Sequence, residues 1–238
     1  MSFIQSEKHR NIILSLLQSL YEDNEVIGVM LTGSHARGDA HSTSDIDLVV
    51  LLQDGHSRQF EAITVDEILV ELKYADRQKA IDKLESNPME PYPYMDGKML
   101  FDKYNVFESL RLEAIRVFNN YNASMKERKA IHHWLRTAKI KIFAAIESND
   151  RLKASFVTST TSYKILEGLW MVCGKPVPPT GSVLPHIGDL MEEIPHIREW
   201  MDGLFLGTID ERMRTAIEMI DWANTRIMNE ERLIEMSD

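Results

Sequence analysis

Two short apolar runs, VIGVMLT at Val26–Thr32 and DIDLVVLL at 45–52, enclose the segment GSHARGDAHSTS. Both are too short for buried helices and carry β-branched residues, so they read as strands. A strand that ends in Gly33-Ser34 and resumes at Asp45-Ile46-Asp47 is a strong restriction on what the chain can build. Gly33 has to make a tight turn. Asp45 and Asp47, two apart on an extended chain, project from one face. Beyond them the second run is apolar on both faces, which calls for a central strand in a sheet covered on both sides.

The flanking sequence fits around that sheet. Ile12, Ile13, Leu16, Leu17 and Leu20 recur at helical spacing and predict a first amphipathic helix. Residues 68–76 predict a third strand, with Ile68, Val70, Leu72 and Tyr74 on one face and Leu69, Glu71 and Lys73 on the other. Asp66 and Glu67 precede it as turn residues. A helix is expected over 77–84, a loop over the proline-bearing segment 86–98, and an edge strand over 99–104. From about Leu110 the pattern is helical. Ser124 and Glu127 form a capping-box pair opening a helix to 146, a second helix covers 152–172 and stops at Gly174, and Thr208 with Glu211 opens a last one with Met213, Ile217, Ile220 and Ala223 inward. The fold class expected is α+β: a small mixed-sheet domain over 1–118, followed by an all-helical bundle over 119–238.

Composition narrows the function classes. The formal net charge of −10, with no clustered Lys and Arg, argues against a broad grip on nucleic acid. No apolar run approaches a membrane span. The first residues read as a helix rather than a signal peptide. The single cysteine, Cys173, reads as a small core residue and fits a reducing, cytoplasmic setting.

The chemistry lies in the opening segment. Gly33-Ser34 at a strand-to-helix turn exposes backbone N–H groups and lets an anion approach closely. It is not a P-loop, because Asp39-Ala40 stand where Lys and Ser or Thr are required, and the third glycine of a dinucleotide fingerprint is missing. Asp45 and Asp47 repel each other unless a cation neutralises them, and hard carboxylate oxygens suit Mg²⁺. A metal beside a phosphate cradle implies a nucleoside triphosphate as co-substrate.

Gly33-Ser34-x-Ala36-Arg37-Gly38 followed by Ser44-Asp45-Ile46-Asp47-Leu48 resembles the signature of the nucleotidyltransferase superfamily, the DNA polymerase beta-like fold. The addition of a helical half makes the chain similar to the single-chain aminoglycoside and lincosamide nucleotidyltransferases. The resemblance implies transfer of a nucleoside monophosphate from the triphosphate to a hydroxyl of a small-molecule acceptor, an antibiotic among the candidates. It also implies a third carboxylate on a neighbouring strand, for which Glu71 is the candidate as ligand or general base. Asp45, Asp47 and Glu71 are thus the expected catalytic and metal-holding set, with Gly33, Ser34, Arg37 and Ser44 toward the nucleotide. Two alternatives stay open: a protein-modifying nucleotidyltransferase of the toxin–antitoxin type, and a non-catalytic nucleotide-binding regulator. A homodimer is left open as well.

Other residues have plainer readings. Arg37 either contacts phosphate or pairs with Asp39 or Asp45, and Ser44 has loop closure as its alternative. His35, His41 and His56 read as surface residues without metal-ligand spacing, and adjacent His132 and His133 cannot form a zinc helix pair. Trp134, Trp170, Trp200 and Trp222 read as core. Tyr92 and Tyr94 stand either at a substrate cleft or in a passive connection. Lys139, Lys141, Glu147, Lys164 and Glu167 read as a solvated helix face.

Overall fold

The computed structural model describes residues 3–4 and 6–235, with side chains described as far as Ile227. The chain divides into two compact units, Met1–Asn120 and Tyr121–Asp238.

The first unit begins with α1 (Glu7–Glu22), capped by the Ser6 hydroxyl. It leads into β1 (Val26–Thr32), the short helix α2 (Gly33–Arg37) and β2 (Ile46–Leu52). A hairpin follows, β3 (Glu61–Val65) and β4 (Ile68–Ala75), then α3 (Arg77–Ser86), α4 (Pro91–Asp96), β5 (Lys98–Asp102) and α5 (Val106–Asn119). The strands form one mixed sheet in the order β3-β4-β2-β1-β5. The β2–β4 pair is parallel and the other pairs are antiparallel.

The two central strands carry apolar side chains on both faces, as their sequence requires. Val29, Leu31, Ile46, Leu48, Val50, Leu52, Val70 and Leu72 pack with Ile12 and Ile13 of α1. On the opposite face Met30, Val49, Leu51 and Ala75 pack with Ala80 and Leu84 of α3, Tyr94 of α4, and Phe107 and Leu110 of α5. Each fully buried aliphatic side chain contributes about 1.5–3 kcal/mol, so both faces are fixed strongly.

Three sequence expectations need correction. Strand β3 was not anticipated; its side chains are mostly exposed, and its two-residue turn uses Asp66 and Glu67 at φ 48° and 65° rather than the usual Asn-Gly. Glu71 therefore stands on an interior strand. Part of 86–98 is helical, because Pro91 occupies the first turn of α4, where its missing N–H is not needed. Tyr92 and Tyr94 are buried in the core, and burial pushes the Tyr94 phenol well above its ordinary value.

The second unit packs α6 (Met125–Glu147), α7 (Arg151–Val172) and α9 (Ile209–Glu235) against one another, with α8 (Ile197–Phe205) on α9. Both capping boxes form: the Glu127 carboxylate accepts from the Ser124 N–H at 2.7 Å, and the Glu211 carboxylate from the Thr208 N–H at 2.8 Å. Close approach of the three long helices is centred on Gly168, where a Cβ would lie 2.9 Å from Leu135 Cδ1. Trp170 is fully buried, but Trp134 is exposed and Trp200 and Trp222 are half-buried, so the expectation of four core tryptophans fails for Trp134. Ala216, Met219, Ile220 and Ala223 fill the inner face of α9, with Ile217 only half-buried. Half-buried Cys173 has its thiol pushed up to about 11 by burial, which leaves it un-ionised.

Candidate active site

The ends of β1, β2 and β4 bring Gly33, Asp47 and Glu71 of the expected set together within the first unit. Thr32 pairs with Asp47 across β1 and β2, and Asp47 pairs with Glu71 across β2 and β4. In-register neighbours show their side chains to the same face. Asp47, Glu71 and Lys73 thus share the face that Val49, Leu51 and Ala75 continue into the core. Asp45 lies immediately before β2 and is exposed, its side chain making no hydrogen bond or ion pair among the described residues.

The Lys73 ammonium joins two of these carboxylates. Its Nζ donates to Asp47 Oδ1 at 2.8 Å and stands 3.3 Å from Glu71 Oε2. The Asp47, Glu71 and Lys73 side chains are 17%, 27% and 46% exposed. Burial pulls the ammonium pKa down, but the hydrogen bonds and charges of Asp47 and Glu71 outweigh it and raise the value overall. The pairing gave no sequence signal, because it depends on the parallel register.

The turn into α2 is built around Asp47. Gly33 has φ +66°, a conformation that favours glycine, and a Cβ there would fall 2.4 Å from Asp47 Oδ2. The Asp47 carboxylate thus packs onto the Gly33 backbone. Thr32 donates its hydroxyl to the Asp47 carbonyl at 3.4 Å. Gly38, at φ 91°, ends the helix by donating its N–H to the Ser34 carbonyl at 2.8 Å. Ser34 sits half-buried in the first turn, where backbone N–H groups have no partner within the helix.

Arg37 and Ser44 serve the loop in this structure. Arg37 pairs with Asp39 at 3.3 Å and reaches Asp96 at 4.0 Å, rather than meeting Asp45. The Ser44 hydroxyl accepts from the His41 N–H at 2.8 Å, and the Ser44 N–H donates back to the His41 carbonyl at 3.1 Å.

A histidine that the sequence did not single out fixes the same loop. Buried His9, on α1, lies 2.9 Å through Nε2 from the Ser44 carbonyl and 2.7 Å through Nδ1 from Ser6 Oγ. A carbonyl only accepts, so Nε2 carries a proton. The residue next to Asp45 is thereby held to the first helix. His35 packs on the His9 ring at a centroid distance of 4.4 Å and is only 4% exposed, which corrects its reading as a surface residue. Burial and then the neighbouring His9 lower its pKa, against a smaller opposing pull from Asp45 and Asp47, so the neutral ring is favoured. His41 is exposed and His56 half-exposed.

Among the described residues, no three His, Cys, Asp or Glu side chains already converge as a metal cage. The donor set still fits a divalent ion chemically: hard carboxylate oxygens lie on one strand-end face, and two of them already share a cationic group. In the helical unit, Lys164 pairs with Glu167 and Lys139 with Asp221, while Glu147 is exposed.

Residues 10–109 match the family model described as the nucleotidyltransferase domain. Among solved structures, the chain is similar to a nucleotidyltransferase-like protein from Exiguobacterium sibiricum 255-15. That likeness has 12% identity and a TM-score of 0.46, covering 89% of this chain and 73% of the other. The chain is also similar to spectinomycin adenyltransferase AAD(9) from Enterococcus faecialis, whose structure holds ATP and spectinomycin. Here the identity is 13% and the TM-score 0.39, with 94% of this chain and 100% of the other covered. No curated protein matches the chain.

Proposed function

We infer that this chain, whose residues 10–109 match the nucleotidyltransferase domain model, transfers a nucleoside monophosphate from a triphosphate to a hydroxyl of a small-molecule acceptor. The observation that carries the reading is the carboxylate face: Asp47 in register with Glu71 and packed against the Gly33 turn, with Asp45 two residues earlier in the chain. Gly33 and Ser34 present the backbone of a strand-to-helix turn to the triphosphate, and Arg37, held by Asp39 and Asp96, shapes the same turn. Asp45, Asp47 and Glu71 would hold Mg²⁺, which when bound neutralises charge developing on the phosphate oxygens.

The bond changes follow from the reaction class. The acceptor hydroxyl oxygen forms a bond to the α-phosphorus, the bond from that phosphorus to the bridging oxygen of the β-phosphate breaks, and pyrophosphate leaves. The hydroxyl proton passes to a base. The position of Glu71 on the carboxylate face, only 27% exposed, supports it in that role or as a metal ligand. Glu71→Gln separates the two. As a ligand it should weaken Mn²⁺ binding about tenfold along with turnover; as a base it should leave Mn²⁺ binding nearly unchanged and lower kcat by roughly a hundredfold or more. Titration with Mn²⁺ alongside steady-state rates checks this.

The test of the reading is pyrophosphate release with each of the four nucleoside triphosphates and Mg²⁺. The acceptor panel would include aminoglycosides, lincosamides and simple polyols. Release that depends on one acceptor class supports the proposal and names the substrate. Triphosphate binding without release against any acceptor would overturn the small-molecule reading.

A further inference from the structure

The carboxylate face brings its own cation, and its placement follows from strand geometry. Lys73 is two residues beyond Glu71 on β4, so both side chains leave the same face of the strand. The parallel register sets Glu71 beside Asp47. The ammonium consequently reaches Asp47 Oδ1 at 2.8 Å and Glu71 Oε2 at 3.3 Å. An exposed lysine elsewhere on a surface usually contributes little. This one spans two carboxylates that the proposed reaction assigns to a divalent ion. A metal that takes either of those oxygens has to displace Nζ, because two positive centres cannot share the space between them at low cost.

We propose that Lys73 is a resident competitor for the metal: it holds Asp47 and Glu71 as a pair, keeps free divalent ion weakly bound, and yields its place when the metal arrives with a triphosphate. Asp45, Asp47 and Glu71 together carry three negative charges, which Lys73 reduces to two. The incoming triphosphate offers Nζ new anionic oxygens, so the lysine passes from carboxylates to phosphate as the metal enters. Metal and nucleotide binding are thereby coupled. Lys73 acts through the carboxylates as a positioning residue. The inference rests on the reading that these carboxylates hold a metal.

The experiment is a Mn²⁺ titration of the full-length protein without nucleotide, following the free-ion spin-resonance signal. Lys73→Met should bind Mn²⁺ about tenfold more tightly than the wild type, since a like charge within a few ångströms has been removed. Lys73→Gln should behave as the Met variant, and Lys73→Arg should stay near the wild type. Adding a nonhydrolysable triphosphate should close the gap between wild type and Lys73→Met, because the wild-type lysine has then moved. Made in the Asp47→Asn background, Lys73→Met should give a smaller gain, because only the contact with Glu71 is then relieved. Equal Mn²⁺ affinity in wild type and Lys73→Met overturns the competitor role while leaving the metal reading intact. So does a gain of undiminished size in the Asp47→Asn background. Failure of both proteins to bind Mn²⁺, with or without triphosphate, overturns the metal reading together with the inference.

Discussion

Asp47→Asn should reduce pyrophosphate release by roughly a thousandfold or more, the rate equivalent of several kcal/mol of lost charge stabilisation. Asp47 stands at the centre of the proposed site: it pairs in register with Thr32 on one side and Glu71 on the other, packs against Gly33, and accepts from Lys73. An amide keeps the shape and one acceptor oxygen but loses the charge. The cost to folding should be small, because Lys73 keeps Glu71 as a partner and a partly exposed ion pair contributes only about 0–1 kcal/mol. A melting temperature within a few degrees of wild type, with turnover gone, is the expected combination. Retained turnover would remove Asp47 from the reaction and with it the proposed function.

Gly33→Ala should damage both stability and activity, and a second glycine separates the two effects. At φ +66° an alanine is strained by roughly 1–3 kcal/mol. Its Cβ would also fall 2.4 Å from Asp47 Oδ2, so the carboxylate has to move off the turn. Gly38→Ala meets the same kind of strain at φ +91°, but nothing lies within 4 Å of its new Cβ. Both variants should melt at lower temperature. Assayed where both remain folded, Gly33→Ala should lose at least a hundredfold in kcat, as a misplaced charge-stabilising group does, while Gly38→Ala stays within a few-fold of wild type. A Gly33→Ala enzyme with wild-type kcat would show that the packing of Asp47 against the turn is not needed.

The parts of the fold that were legible in the sequence are those fixed by local rules. β1 and β2 followed from apolar runs bounded by Gly33 and Asp45, and both capping boxes from Ser or Thr paired with Glu three residues on. What escaped depends on partners distant in sequence or on unusual turn chemistry. β3 is mostly exposed and joins β4 through Asp66 and Glu67, so neither its composition nor its turn announced it. His35 looks like a polar residue in a loop until His9 is found packed against it. Trp134 is apolar and on a helix, yet it faces outward, because periodicity places a residue on a helix and only packing decides which side is covered. In the proposed site, the placing of Gly33 at the strand-to-helix turn and of Asp47 at the start of β2 was readable from spacing. The bridging of Asp47 and Glu71 by Lys73 was not, since nothing in the order of residues states which strand lies beside β2.

That neighbour relation also bears on how the chain avoids a wrong sheet. Along β4, Val70 and Leu72 point into the core while Glu71 and Lys73 point to the carboxylate face. Sliding β4 against β2 by a single residue exchanges the two sets, burying a carboxylate and an ammonium and exposing two aliphatic side chains. Such a slip also separates Lys73 from Asp47. The correct pairing is thus favoured on both faces at once, by apolar contact on one and by opposite charge on the other. The residues proposed for chemistry act during folding as a check on alignment, and a sheet that closes out of step cannot present a working face.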